Sequence, residues 1–178
     1  MRSCEQSTPE GDDAVLVAAA MRDRRAFAPL YRRYLDLIYR YSYRRLASRE
    51  AAEDATSQVF YRAMAGLDAF RSGSFRAWLF TIAHNVVIDH ARRHPQAFPL
   101  APLYDPPDDT SAPEELAIHA DQRRAVARAL AGLSPDQQRV IELRMAGLTG
   151  AEIAEVLGKN AAAVKMLQFR AMTNLRER

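Results

Sequence analysis

The sequence predicts an all-α protein: two small helical domains joined by a proline-rich, extended linker. Three observations carry that prediction. Glycine is scarce, 7 in 178 residues, and no β-branched run of period two bounded by turn residues occurs. Apolar residues recur at helical spacing over most of the chain. Six prolines crowd residues 95–113, where each removes a backbone donor and fixes φ, so no regular element fits there.

The elements follow in order. A short helix is predicted near residues 13–21, a long one near 25–47 and a third near 50–65. The fourth spans 75–93, with Ser74 placed to accept from an orphan N–H of its first turn. Within it Trp78, Ile82, Ala83, Val86 and Val87 mark one buried face, and Phe75, Trp78 and Phe80 read as core. After the linker comes a helix near 113–131, then three with clear punctuation. Ser134, Pro135 and Gln137 give an N-cap, a proline at the first helical position and a capping box for a helix near 135–146. Gly147 can end that helix in the left-handed conformation. Thr149 and Glu152 repeat the capping box for 150–157, Gly158 stops that helix, and Asn160 caps the one at 161–176. A short helix, a tight turn and a longer basic helix make a helix-turn-helix. Ile153, Ala154 and Leu157 pack on Val164, Leu167 and Ala171, which leaves Lys165, Met166, Phe169 and Arg170 able to face a groove.

Composition bounds the function. No stretch approaches a membrane span. The polar, acidic start shows no signal peptide, and the lone Cys4 excludes an internal disulfide or a cysteine-rich zinc module. A cytoplasmic protein is expected. The net charge of +3 is unevenly spread. Residues 1–24 carry net −2, residues 25–94 net +6, residues 95–120 net −5 and residues 121–178 net +4. Two basic blocks flank an acidic spacer, an electrostatic footprint for two contacts with a polyanion. An enzyme is disfavoured. His90 and His94 have the spacing of two zinc ligands, but no Glu follows His90, no third ligand is evident, and Arg92 and Arg93 lie between them. No glycine-rich phosphate loop or nucleophile elbow appears, so neither metal nor cofactor is expected.

The helix at 75–93 carries the chemistry. Opposite its apolar residues stand Asn85 and Asp89, four apart, then Arg92 and Arg93. An Asn amide can bond a base edge as donor and acceptor, and Arg holds phosphate. Asp89 either belongs to that face or pairs with Arg92 or Arg93 and orients them.

The pattern W-L-x-x-I-A-x-N-x-x-x-D-x-x-R-R over residues 78–93 resembles the promoter-reading helix of bacterial RNA polymerase sigma factors, in their extracytoplasmic-function (ECF) subfamily. Residues 52–60 resemble the family's polymerase-gripping segment, and 68–75 its base-capturing loop. Residues 133–144 and 147–158, with Val164, Lys165, Arg170 and Ala171, resemble its C-terminal domain. The resemblance implies a flexible tail at 1–11 and a region 2 domain at 12–94 that binds core polymerase and the minus-ten element. A linker at 95–112 and a region 4 helix-turn-helix domain at 113–178 for the minus-thirty-five element would follow. It assigns Glu53, Asp54, Gln58 and Phe60 to core polymerase, although Glu53 and Asp54 equally suit the dipole of an early helical turn. Arg71, Ser72, Ser74, Arg76, Asn85, Asp89, Arg92 and Arg93 fall to the minus-ten strand. Asn160, Ala163, Lys165, Met166, Phe169 and Arg170 fall to the upstream duplex. The implied partners are the clamp of polymerase's largest subunit, the flap of the second-largest, duplex and melted promoter DNA, and an anti-sigma protein in many members. No membrane insertion is implied.

The chain departs from the family pattern in places. Ser57-Gln58 stands where Gln-Glu is usual. Ala163, Met166 and Leu167 replace the common Thr, Ser and second Arg, and Gln168 takes a usually apolar position. These changes bear on which DNA sequence is preferred. The linker, with five carboxylates and no Lys or Arg across 95–120, reads as an RNA mimic held by charge in polymerase's exit path, or else as a solvated spacer. A free-standing helix-turn-helix regulator is the alternative function. It accounts for 121–178 but leaves 52–60 and 78–93 unexplained.

Overall fold

The computed structural model describes residues 9–93, 130 and 132–176, and no strand occurs among them. The linker at 95–112, nearly all of the helix expected at 113–131 and most of the N-terminal tail lie outside the described residues. Helix α1 (Pro9–Arg22) begins earlier than the sequence suggests, so residues 9–11 belong to it rather than to a tail. Buried Asp13 accepts from Arg33 at 2.5 Å and from the Tyr34 hydroxyl, which ties α1 to the next helix.

The long helix expected from residue 25 starts instead as a 3-10 turn, Arg24–Phe27, capped by the Asp23 carboxylate on the Arg25 N–H at 2.9 Å. The α-helical part, α2 (Ala28–Leu46), follows with a proline in its first turn, where a missing N–H costs nothing. It stops at Ala47, which adopts the left-handed conformation (φ 53°, ψ 13°) and returns its N–H to the Tyr43 carbonyl. Ser48 then caps α3 (Arg49–Gly66). A short 3-10 turn, Leu67–Ala69, and a loop through Gly73 (φ 101°) lead to α4 (Phe75–Arg93). In the second half, α5 (Pro135–Met145) and α6 (Gly150–Leu157) both carry the complete capping boxes expected of them. Gly147 (φ 85°) and Gly158 (φ 60°) take the left-handed turns, and α7 (Ala161–Arg176) completes the helix-turn-helix.

Helix α4 is central. It packs against α2 and α3 and also against α6. Its buried set is therefore wider than one stripe: Phe75, Ala77, Leu79, Phe80, Ala83, Val86 and Val87 are buried, whereas Trp78 and Ile82, expected at the middle of the face, are only half-buried. Leu143, Leu148, Ile153 and Val156 of the second half join the same apolar cluster as Leu30, Ile38, Val59 and Leu79 of the first. The two halves share a core. A smaller cluster of Leu130, Leu133, Ile141 and Ala171 fastens α5 to α7.

Candidate polymerase and nucleic-acid interface

Three surfaces carry the predicted residues. On α3, Glu53 and Asp54 are exposed, and Glu53 accepts from Arg49 Nε at 3.2 Å one turn earlier. Gln58 is half-buried, and its Oε1 finds no donor. Phe60 is a correction. It is 4% exposed, packed edge-on with Tyr31 at 4.6 Å and with Phe27 at 6.5 Å, so its ring builds the core and offers nothing to a partner. Exposed on α3 beside it is Tyr61, at 74%. Glu53, Ser57 and Tyr61 are four apart and share one face. The sequence reading overlooked Tyr61, and a period-four scan of α3 would have found it.

The second surface runs from the 70–75 loop along α4. A cavity of about 530 Å³ opens between α1 and this loop, lined by Val17, Met21, Phe70, Arg71, Ser72 and Gly73, among others. Arg71 is exposed and braces the loop by donating to the Asp68 carbonyl at 3.0 Å. Ser74 caps α4, accepting from the Ala77 N–H at 3.2 Å. Asn85 is exposed, as are Arg92 and Arg93 at the helix end. Asn85, Asp89 and Arg92 sit at i, i+4 and i+7, which puts them on one stripe. Asp89 pairs with Arg62 of α3 at 3.6 Å. The brace expected to Arg92 or Arg93 thus runs between helices instead. Beside Asn85, His84 Nδ1 bonds the Tyr41 hydroxyl at 3.0 Å. Burial, with help from Arg45 and Arg139, pushes this imidazole down to about 4, so it is neutral at pH 7.

Ser74 and Arg76 are already engaged. The Ser74 hydroxyl donates to Glu152 of α6 at 2.6 Å, and Arg76 grips the same carboxylate through Nε at 2.9 Å and Nη2 at 2.7 Å. Burial raises the acid, but Arg76, Ser74 and Thr149 outweigh it and bring Glu152 down to about 2. A second pair, Arg45 with Glu142 of α5, spans the halves at 3.3 and 3.4 Å. There burial dominates and Glu142 is raised. Neither pair was legible beforehand, because partners 76 and 97 residues apart leave no trace in local spacing.

The third surface is α7. Asn160 Oδ1 accepts from the Ala163 N–H at 2.7 Å, so capping takes one of the oxygen's two acceptor positions and leaves the amide hydrogens untouched. Ala163 is half-buried, and Lys165 and Arg170 are exposed with Met166 at 51% and Phe169 at 68%. The turn before the helix is pinned by Lys159 Nζ on Asp136 at 3.0 Å. Val164, Leu167 and Ala171 turn inward, as the helix-turn-helix reading requires, though Leu167 and Leu157 are only half-buried.

A helical pair of domains, one presenting an amide-and-arginine stripe and the other a helix-turn-helix, defines a nucleic-acid-binding protein. Family models described as Sigma-70 region 2 and Sigma-70 region 4 match residues 30–95 and 123–175. The chain belongs to the sigma-70 family, in the ECF group of RNA polymerase sigma factors. It is 38% identical over 155 residues to the ECF sigma factor BldN of Streptomyces coelicolor, covering 84% of this chain but 59% of that protein's length. It is 31% identical over 172 residues to the ECF sigma factor SigK of Mycobacterium tuberculosis, covering 92% of this chain and 91% of SigK. Among solved structures, CnrH in complex with the cytosolic domain of CnrY superposes with a TM-score of 0.69 at 26% identity, over 92% of this chain and 94% of CnrH. The sigma factor RpoE from Bartonella quintana, solved with the anti-sigma factor NepR, gives 0.62 at 24% identity, over 85% and 94%.

Proposed function

We propose that this chain binds core RNA polymerase, recognises and melts promoter DNA, and so starts transcription as a cytoplasmic initiation factor without enzymatic activity of its own. The observation that carries this reading is the Asn85–Asp89–Arg92 stripe on α4, an exposed amide followed by cations on a helix otherwise given over to the core. Core polymerase would dock on the exposed face of α3, through Glu53, Asp54 and Tyr61 with Gln58 beside them. The cavity beside the 70–75 loop suits one unstacked base, with Phe70 and Phe75 as apolar walls and the Ser72 hydroxyl for an edge. Asn85 would read the next position while Arg92 and Arg93 hold phosphates.

Helix α7 would enter the upstream major groove. Lys165 and Arg170 flank the exposed Met166 and Phe169, and an apolar pair in a major groove suits thymine methyl groups. That chemistry differs from the Thr, Ser and Arg usual in the family, so a distinct upstream element is expected. The complex of CnrH with the cytosolic domain of CnrY supports a regulatory protein partner for this chain as well.

The test is reconstitution. Purified chain mixed with core polymerase should co-elute with it and direct synthesis from discrete start sites on genomic fragments. Tight palindromic operator binding with no polymerase association would overturn the reading in favour of a free-standing regulator.

A further inference from the structure

Helix α1 lies outside the residues that the two family models match, which begin at residues 30 and 123, yet it forms one wall of the cavity beside the 70–75 loop. Val17, Ala18 and Met21 supply that wall, and Phe70 and Phe75 line the cavity from the other side. The polar side chains at the cavity are those of Asp13, Arg71, Ser72 and Ser74. Arg71 and Ser72 are exposed, and Ser74 is spent on Glu152 and on the cap of α4. Asp13 is the buried one, with its side chain 6% exposed. Arg33 donates to its Oδ1 and the Tyr34 hydroxyl to its Oδ2, which fixes the orientation of the carboxylate. Each oxygen keeps a second acceptor position, because a carboxylate offers about four in all and donates nothing.

A cavity whose one buried polar side chain only accepts will discriminate among bases by their donors. On the Watson–Crick edge of an unstacked base, adenine, cytosine and guanine each present an exocyclic amine. Thymine instead presents one N–H flanked by two carbonyl oxygens. Turned towards a carboxylate between apolar walls, those oxygens find no donor, and an acceptor left unpaired there costs more than a lost bond. We propose that Asp13 is the base-selecting residue of this cavity, so that the cavity takes a base bearing an exocyclic amine and refuses thymine. The inference rests on the reading of the cavity as a site for one unstacked base. It puts part of the promoter preference on α1, apart from the loop and the helix that carry the rest.

Comparing 5-methylcytosine with thymine isolates the claim, since the two share their ring and methyl group and differ in carrying an amine or a carbonyl beside it. Holoenzyme reconstituted from the full-length chain and core polymerase would be titrated with pre-melted promoter fragments at one salt concentration. Each fragment carries one or the other base at one minus-ten position of the non-template strand, every position being taken in turn. At one position 5-methylcytosine should bind on the order of tenfold more tightly than thymine. Asp13→Asn should bring that ratio towards unity, because an amide presents a donor as well as an acceptor. A merely structural role, tying α1 to α2, would lower the affinity for both bases and keep their ratio. That outcome, or a parent that prefers the amine at no position, would overturn the proposal. Should D13N fail to fold, Ala18→Leu fills the cavity from an exposed position of α1 with a strong helix former. Loss of the preference at that one position supports the proposal, and its retention rejects it. Failure of the parent holoenzyme to bind any pre-melted fragment refutes the base-binding reading itself, whereas binding with a ratio unmoved by D13N refutes only the role of Asp13.

Discussion

The two ion pairs that join the halves should behave oppositely when neutralised. Glu152 stands at about 2 instead of 4.5, a displacement worth about 3 kcal/mol in favour of its ionised form. The folded carboxyl is the stronger acid, so between these values the unfolded chain binds the extra proton. The stabilisation is complete above pH 4.5 and is lost as pH falls towards 2, with roughly half remaining at pH 3. E152Q keeps neutral hydrogen bonds and should lose about 2–3 kcal/mol at pH 7 and clearly less at pH 3. Glu142 is different. Its burial outweighs the longer Arg45 contact and raises it, so the ionised pair gains little from being there. Arg45→Met combined with Glu142→Met removes both charges together and should be neutral within about 1 kcal/mol. The assay is urea unfolding followed by Trp78 fluorescence, the single tryptophan of the chain, which sits 5.4 Å from Phe70 and 5.5 Å from Phe75. A Glu152→Gln midpoint equal to the parent's at pH 7, or a deficit as large at pH 3 as at pH 7, would refute the reasoning.

Three further outcomes are expected. Asn85→Ala alters an exposed side chain, so stability should move by less than about 0.5 kcal/mol, while strand opening on a matched promoter, read by permanganate reactivity, should slow by about tenfold; an unchanged opening rate removes Asn85 from base reading. Ala47→Gly relieves a left-handed alanine (φ 53°) and should raise stability by roughly 0.3–1 kcal/mol after the entropy cost of glycine is counted, visible as a higher Tm; a lower Tm contradicts the strain. In a selection over randomised upstream elements, Phe169→Ala should shift the preference at thymine positions, whereas Arg170→Ala should weaken all sequences alike; a uniform loss from Phe169→Ala would take the ring out of the groove.

Much of the fold was legible because its signals are local. The caps at Ser74, Ser134, Thr149 and Asn160 and the stops at Gly147 and Gly158 are decided within a few residues of themselves, and each appears where the spacing puts it. The start of α2 was missed for an equally local reason, the capping of Arg25 by Asp23, which makes the first turn 3-10. Among the site residues, Asn85, Arg92, Arg93, Lys165, Met166, Phe169 and Arg170 are exposed on helices in the registers their spacing implies. Phe60 was misplaced because a motif position says nothing about which way a ring turns, and here it turns towards Phe27 and Tyr31.

What periodicity could not supply is the second partner of α4. A helical repeat marks the face that meets one neighbour, and it placed Trp78 and Ile82 at the centre of that face. Helix α4 packs against α6 as well, Ala77 and Leu79 are buried, and the expected centre of the face, Trp78 and Ile82, is only half-buried. The same packing explains why Arg76 looked like a simple phosphate holder. Its charge suits a phosphate, and only the tertiary fold brings Glu152 to it. A guanidinium able to hold a phosphate is equally able to hold a carboxylate, and here Arg76 holds that of Glu152.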